Sequence, residues 1–600
     1  MKETLFTLLE TRIQDTPDQV YLKFRDNNDA WKEMTWNGYG QKIGRVSKAL
    51  ISYGVNQGDK VSLIGPSSPK WFAADMAAMT IGAVVAPIYI TSSGEQIAYI
   101  INHSGARLLF VDDIGYFHRI EPVITKMPGL EKVVLLNGTA PANNDMLTDL
   151  PSFEALGEKI SDHELAGRRH GVTEDMAATF IYTSGTTGNP KAVILSQKNY
   201  FAAARSVSQW QKFLTEDPTI PEIKHICFLT LAHVFERNLS MTAPLSTGAC
   251  VYFGDLNNAM EELRQIQPTI LVALPRTWEK MYEGIMAYRG QMPQARQAIF
   301  DRAINTGKEY NMHLYEKTTI PQKLKEDYDT AYNTVIAKVL DVLGCFKEAK
   351  HIMTGGAVSS RKVIDFFFSI GIWICQVYGQ SESLGMGSVE TRDYLRFGSV
   401  GKAFPFSEVK TADDGEIMLK SDMVSPGYHD EPELNAATFK DGWLYTGDIG
   451  AIDADGYLFI TGRKKDIIIT SGAKNITPAK IEGALMSSPL IEHAVVAGEG
   501  KKFLTALLTL SLEAGKAWAG NRGSHVETYA DLLDLDPVGR EIDRHVAQVN
   551  ETFSRVEQIK KYAILPTPLT EESGELTALQ KLKRFKVIEN NTRLIEQMYV

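Results

Sequence analysis

Ten residues, Tyr182-Thr183-Ser184-Gly185-Thr186-Thr187-Gly188-Asn189-Pro190-Lys191, stand between two apolar runs, Met176 to Ile181 and Ala192 to Leu195. The runs read as buried strands, so the string between them is the tip of a hairpin. Its glycines let backbone N–H groups turn inward and approach an anion, its hydroxyls add donors, and Lys191 adds a mobile positive charge. That is chemistry for holding a polyphosphate. The glycine and lysine spacing, and the strand that follows, both differ from a Walker A loop, which leads into a helix.

Around this hairpin, strand-like runs alternate with helical patterns. Val61 to Ile64 is followed by a helix over Pro69 to Ile81 and a strand over Ala83 to Ile90. Arg107 to Val111, Val133 to Leu136, His225 to Leu229, Ala249 to Phe253 and Thr269 to Ala273 continue the series. The alternation predicts an α/β protein of mixed sheets covered by helices. Residues 291–343 break it with a charge-balanced helical excursion, read as lying on the surface. With 600 residues the chain is too long for one core. Texture changes near Gly462, which reads either as a charged hairpin turn within one domain or as a boundary that gives a large N-terminal domain over 1–462, a charged linker at 463–466 and a smaller α/β domain over 467–600.

Two acidic positions stand out. Gln376-Val-Tyr378-Gly379-Gln-Ser381-Glu382 follows an apolar strand read over Ile370 to Cys375. Tyr378 offers a face for a purine, and Glu382 a carboxylate of the kind that Mg²⁺ accepts beside phosphate and water. Asp441-Gly-Trp-Leu-Tyr-Thr-Gly-Asp448 places an acid after a glycine turn, where it suits the two hydroxyls of a ribose; Arg463 adds a cation. Alone, Glu382 reads better as a surface acid and Asp448 as a turn residue.

The order of these strings resembles that of the adenylate-forming superfamily: acyl-CoA synthetases, luciferases and peptide-synthetase adenylation domains. Within it the chain is similar to the long-chain fatty acyl-CoA synthetases, through Leu231-Ala-His-Val-Phe-Glu-Arg237, Pro275-Arg-Thr-Trp-Glu-Lys280 and Ser471-Gly-Ala-Lys-Asn475 with Pro478 and Ile481-Glu482. The resemblance implies a large N-terminal domain and a small mobile C-terminal one. It implies activation of a fatty carboxylate by ATP and Mg²⁺, then thioester formation with coenzyme A. Thr183 to Lys191 would bind phosphates; Gly355, Gly356 and Ala357, with Gln376, Tyr378, Gly379 and Ser381, would frame the adenine; Asp448 and Arg463 would hold the ribose. Glu382 and Thr183 would ligate the metal. His233, Phe235 and Glu236 would border the acyl site, Gly472 would line the pantetheine path, and Lys465 would be the hinge. In Leu576-Thr-Ala-Leu-Gln-Lys-Leu-Lys-Arg584 the register points to Lys581 as the catalytic lysine, with Lys583 second. Ala192, Gln197 and Ala578 depart from the usual Gly, His and Pro, and Ser381 from Thr.

Other bulk features narrow the partners. Acids outnumber bases 73 to 63, for a net charge of −10, which argues against nonspecific nucleic-acid binding. The 4 cysteines form no Cys-x-x-Cys pair, and suit a reducing, cytoplasmic setting. No long apolar run reads as a transmembrane span; peripheral membrane contact and oligomerisation stay open. Rival expectations are a fatty acyl-AMP ligase or luciferase-like enzyme, a catalytically inactive nucleotide-binding protein, and a P-loop kinase or ATPase.

Overall fold

A computed structural model describes residues 2–600 apart from 27, 184–188, 358, 472–473, 521 and 578–580. The expectations for Ser184, Gly185, Thr186, Thr187, Gly188 and Gly472, and the departure at Ala578, lie outside the described residues.

Three sheets build the first 463 residues. One has nine strands, and its parallel centre runs Ile374–Tyr378, His351–Gly355, Ile270–Ala273, Lys224–Cys227, Cys250–Phe253 and Val20–Arg25. A second has eight strands, with Ala177–Thr183 and Lys191–Ser196 antiparallel at one side of a parallel set, Val84–Ile88, Lys60–Ile64, Ala106–Val111 and Lys132–Leu135. These strands are buried on both faces, which explains their near-continuous Val, Ile and Leu content. The helix Pro69–Thr80 starts on Ser68, whose hydroxyl accepts the Trp71 N–H. A third, five-stranded antiparallel sheet joins Glu408–Thr411, Glu416–Lys420, Phe439–Lys440, Trp443–Ile452 and Leu458–Arg463.

The expected strand over Ile370 to Cys375 is displaced. The helix Arg361–Ser369 runs into Ile370, Gly371 turns the chain at φ +86°, and the strand is Ile374–Tyr378. Ile370 and Ile372 are apolar because the turn itself is buried. Gln376 and Tyr378 therefore lie within the strand rather than after it.

The excursion is helical, over Gln294–Tyr315, Gln322–Ala331 and Ala337–Leu343. Only one face of it is surface. Phe300, Ala303, Ile336, Val339 and Leu343 join the core cluster that covers the nine-stranded sheet. Gly307 is required there, since a β-carbon would overlap the Ser369 carbonyl oxygen of the neighbouring helix.

Beyond residue 467 the chain forms a hairpin, Ile468–Ile469 with Asn475–Ile476, and a sheet of Ile491–Ala497, Leu504–Leu510 and Ile559–Ile564. Its two hydrophobic clusters, one on each face of that sheet, draw only on residues of this segment. A unit that buries its own apolar surface in this way is what a domain requires.

Candidate active site

The hairpin expected from the sequence is present. Ala177–Thr183 and Lys191–Ser196 pair antiparallel, and Thr183 lies opposite Lys191. The second strand is bonded on its other side to the short strand Gly427–Tyr428. The phosphate-loop ends are thus held in the middle of a sheet rather than at its edge.

Facing them are the carboxyl ends of two parallel strands, His351–Gly355 and Ile374–Tyr378. In an open α/β sheet such ends are where ligands bind. Gly356 turns at φ +81°, followed by Ala357, and a β-carbon on Gly379 would collide with the backbone of Gly385. The strand is anchored from behind by Glu390, whose carboxylate accepts the Gln376 N–H at 2.9 Å, the Arg396 N–H at 3.0 Å and the Ser399 hydroxyl at 2.8 Å. Gln376 also accepts from the Ser359 hydroxyl at 3.4 Å.

Asp448 is the hub of the site. It is 3% exposed, and receives the Tyr378 hydroxyl at 2.7 Å, the Gln380 amide at 2.7 Å and the Arg463 guanidinium at 2.7 Å. Its own N–H is donated to the Thr446 hydroxyl. The acid is therefore far more than a turn residue: three donors from two segments fix its carboxylate. Burial and the nearby Asp448 push the Tyr378 phenol well up, so it stays a donor.

Ser381 opens a short helical turn, Ser381–Ser383, that carries Glu382. One oxygen of Glu382 accepts the Tyr428 hydroxyl at 2.7 Å. Its other oxygen has no hydrogen-bond partner among the described residues. One carboxylate with an oxygen that has no partner among the described residues fits Mg²⁺, a hard ion that takes one or two protein oxygens and fills its shell with phosphate and water.

His233 caps the turn Val234–Arg237, with its Nδ1 accepting the Phe235 N–H at 3.3 Å. Burial, then the charge of Lys581, pushes its pKa down to about 4, so it is neutral near pH 7. Phe235 packs beside Gly385. Glu236 turns away from the site into a buried cluster with His225, the Leu229 N–H and the Ser240 hydroxyl. Arg237, also buried, makes a paired contact with Asp75 at 2.5 and 2.6 Å that ties the segment to the helix of the second sheet.

Lys581 comes from the far end of the chain. Leu576 and Leu582 form a bridge, the Lys581 N–H is donated to Thr577 Oγ1 at 3.0 Å, and the ammonium reaches to 4.0 Å from where a Gly356 β-carbon would stand. The residue as a whole is solvent-accessible, while its ammonium has enough protein around it for burial, then Arg463, to lower its pKa. Lys583 instead precedes the helix Arg584–Asn590.

Residues 9–429 match the family model described as AMP-binding enzyme, and residues 465–600 the AMP-binding enzyme C-terminal domain. This chain belongs to the AMP-binding enzyme family. It is 33% identical over 588 residues to the long-chain-fatty-acid–CoA ligase FadD15 of Mycobacterium bovis, covering 98% of this chain and 95% of that protein. It is 30% identical over 615 residues to the long-chain-fatty-acid–CoA ligase ACSBG1 of Homo sapiens, covering 97% and 83%. Among solved structures, the anthranilate CoA ligase AuaEII bound to anthranoyl-AMP superimposes with a TM-score of 0.71 at 18% identity, over 99% of this chain and 98% of that one. The o-succinylbenzoate coenzyme A synthetase MenE of Bacillus subtilis, with ATP and a magnesium ion, gives a TM-score of 0.65 at 20% identity, over 96% and 98%.

In this member of the AMP-binding family, the two sides of Lys465 are fixed differently. Before it, Arg463 holds Asp448, and Lys464 holds Asp414 at 2.6 Å and Glu416 at 2.7 Å, all in the large domain. After it, Arg584 of the small domain contacts Asp466 at 4.0 Å, pairs with Glu482 and donates to the Val496 carbonyl at 2.8 Å. Arg276 reaches Glu492 across the gap at 3.9 Å. Gln380, Glu390 and Tyr428 are parts of the site that sequence reasoning missed. Gln380 lay inside a string already singled out, so its position was the available signal; Glu390 and Tyr428 carried none.

Proposed function

We propose that this protein is a long-chain fatty acid:coenzyme A ligase of the AMP-forming type. The observation that carries the reading is Lys581: a lysine of the small domain meets Gly356 and His233 of the large one, beside the Asp448 hub and opposite the phosphate hairpin.

A fatty carboxylate oxygen attacks the α-phosphorus of ATP, the bond from that phosphorus to the α,β-bridging oxygen breaks, pyrophosphate leaves, and acyl-adenylate forms. Both partners are anionic, so the work is charge neutralisation and in-line placement. Lys191 and the hydroxyls of its loop offset the leaving pyrophosphate. Asp448 takes the ribose, oriented by Tyr378, Gln380 and Arg463, while Gly356, Ala357 and Gly379 leave room for the adenine. Lys581 bridges the carboxylate and an α-phosphate oxygen. Glu382, with Thr183, would hold Mg²⁺, which supplies further charge neutralisation at the phosphates. His233, being neutral, borders the carboxylate without binding it as a counter-ion.

In the second step the thiol of coenzyme A attacks the acyl carbonyl and AMP leaves. The thiol needs the place that Lys581 occupies, so the small domain has to turn, and Lys465, between two anchored segments, is where it turns. The residue boundaries 1–462, 463–466 and 467–600 follow from that reading. A cytoplasmic location suits four cysteines that are all free and buried, and none of the described helices is long and apolar enough to cross a membrane.

The test is pyrophosphate release from MgATP with carboxylates from acetate to oleate, with and without coenzyme A. Release that rises with chain length and turns over only with coenzyme A is expected. Turnover without coenzyme A would indicate a different acceptor, and no release with any carboxylate would overturn the reading.

A further inference from the structure

The strand Gly427–Tyr428 lies between the two halves of the site and bonds to both. Toward the phosphate hairpin, it pairs with Val193 and Ile194, the His429 N–H is donated to the Ala192 carbonyl at 2.9 Å, and the Ser425 hydroxyl to the Ile194 carbonyl at 2.6 Å. Toward Glu382, the Ser425 N–H is donated to its main-chain carbonyl at 2.7 Å and the Tyr428 hydroxyl to its carboxylate at 2.7 Å. Backbone and side chain of Glu382 are thus both fastened to the segment that follows the Lys191 strand.

Tyr428 is itself held rigidly. Asn435 brackets its peptide, accepting the Tyr428 N–H at 2.6 Å and donating to its carbonyl at 2.9 Å. The ring is 9% exposed and packs against Phe439 with centroids 5.7 Å apart. A hydroxyl with one firm acceptor orients that acceptor: it takes one oxygen of Glu382, and the other has no hydrogen-bond partner among the described residues.

We propose that Tyr428 is a positioning residue that aims the free oxygen of Glu382 at a divalent cation and keeps it in register with the phosphate hairpin. The proposal rests on Glu382 being the cation's protein ligand. A hydrogen bond to a charged group, lost without change of shape, corresponds to about a tenfold effect on what that group binds.

Tyr428→Phe removes the hydroxyl and keeps the ring. The readout is calorimetric affinity for ATP in Mg²⁺ and in EDTA, on the full-length protein. Tyr428→Phe should lose about tenfold of the affinity gained from Mg²⁺ while binding ATP in EDTA like the wild type. Its thermal midpoint should stay close to the wild-type value. Glu382→Gln should lose the Mg²⁺ gain as well, and the double variant should bind no worse than Glu382→Gln, since contacts in one chain of interaction are not additive. A wild-type Mg²⁺ gain in Tyr428→Phe, or an equal loss in EDTA, would overturn the role of Tyr428. An unchanged Mg²⁺ gain in Glu382→Gln would overturn the assignment of Glu382 and the proposal with it.

Discussion

Lys581 has the shortest list of functions and the most exacting position. In the proposed role its ammonium offsets charge that develops on the α-phosphate, so Lys581→Ala should slow adenylation by about a hundredfold or more. Thioester formation from supplied acyl-adenylate should persist; equal loss of both half-reactions in single-turnover assays would remove the assignment. Two histidines make a separate point about pH. Burial holds His351 down to about 3, and burial with Lys581 holds His233 down to about 4. Between these values and the ordinary 6.5, the unfolded chain binds more protons than the folded one, so stability rises with pH and is lost as pH falls below about 6.5. His351 sits among Trp210 and Phe213 with an unpartnered ring nitrogen. His351→Phe should therefore flatten the fall of the thermal midpoint between pH 6.5 and 5, and an unchanged slope would show that other groups control it. At this scale the legible residues were those inside dense strings: Tyr378, Asp448 and Arg463 come into direct contact, and Glu382 is linked to the Lys191 strand through Tyr428. Tyr428 and Glu390 were not legible, because an isolated Tyr or Glu acquires its partner only through a sheet register that no local pattern reveals.

Elements were readable in proportion to their length and burial. The parallel strands of the two large sheets appear in sequence as runs of Val, Ile and Leu because both faces are covered. Most of the third sheet was not legible as strands. It is antiparallel, its strand Glu408–Thr411 is largely exposed, and Phe439–Lys440 is two residues long. The strand at Ile374–Tyr378 was misplaced because a buried turn is as apolar as a strand. The helix Gln294–Tyr315 was read correctly as a helix, but its alternating charges concealed a face that packs on Arg361–Ser369. That contact is tight enough to test. Gly307→Ala forces the helices apart at Ser369, and should destabilise the protein by about 1–3 kcal/mol. A fall of the thermal midpoint is the check; wild-type stability would mean that the helix pair yields without cost.

At the scale of the whole molecule the question is how two reactions share one place. Arg463 and Lys464 are bound to the large domain and Asp466 approaches Arg584 of the small one, so the proposed joint, Lys465, stands between segments held by different domains. Fixing its φ with Lys465→Pro should preserve one half-reaction and abolish the other. Overall turnover at the wild-type rate would exclude a rotation about this residue. Arg276 and Glu492, 3.9 Å apart, belong to the arrangement with Lys581 inserted, and their contact has to part when the domain turns.

The small domain's clusters contain no residue of the large domain. A module that folds on its own core can change the parts of its surface away from Lys581 without disturbing the site proposed to make the adenylate. The activating half and the accepting half are therefore free to diverge at different rates, and a new nucleophile, an amine or a carrier-bound thiol, can be recruited by altering one surface of one domain. In such an architecture the mixed anhydride is a common currency, and what it is exchanged for is decided on the far side of a single joint.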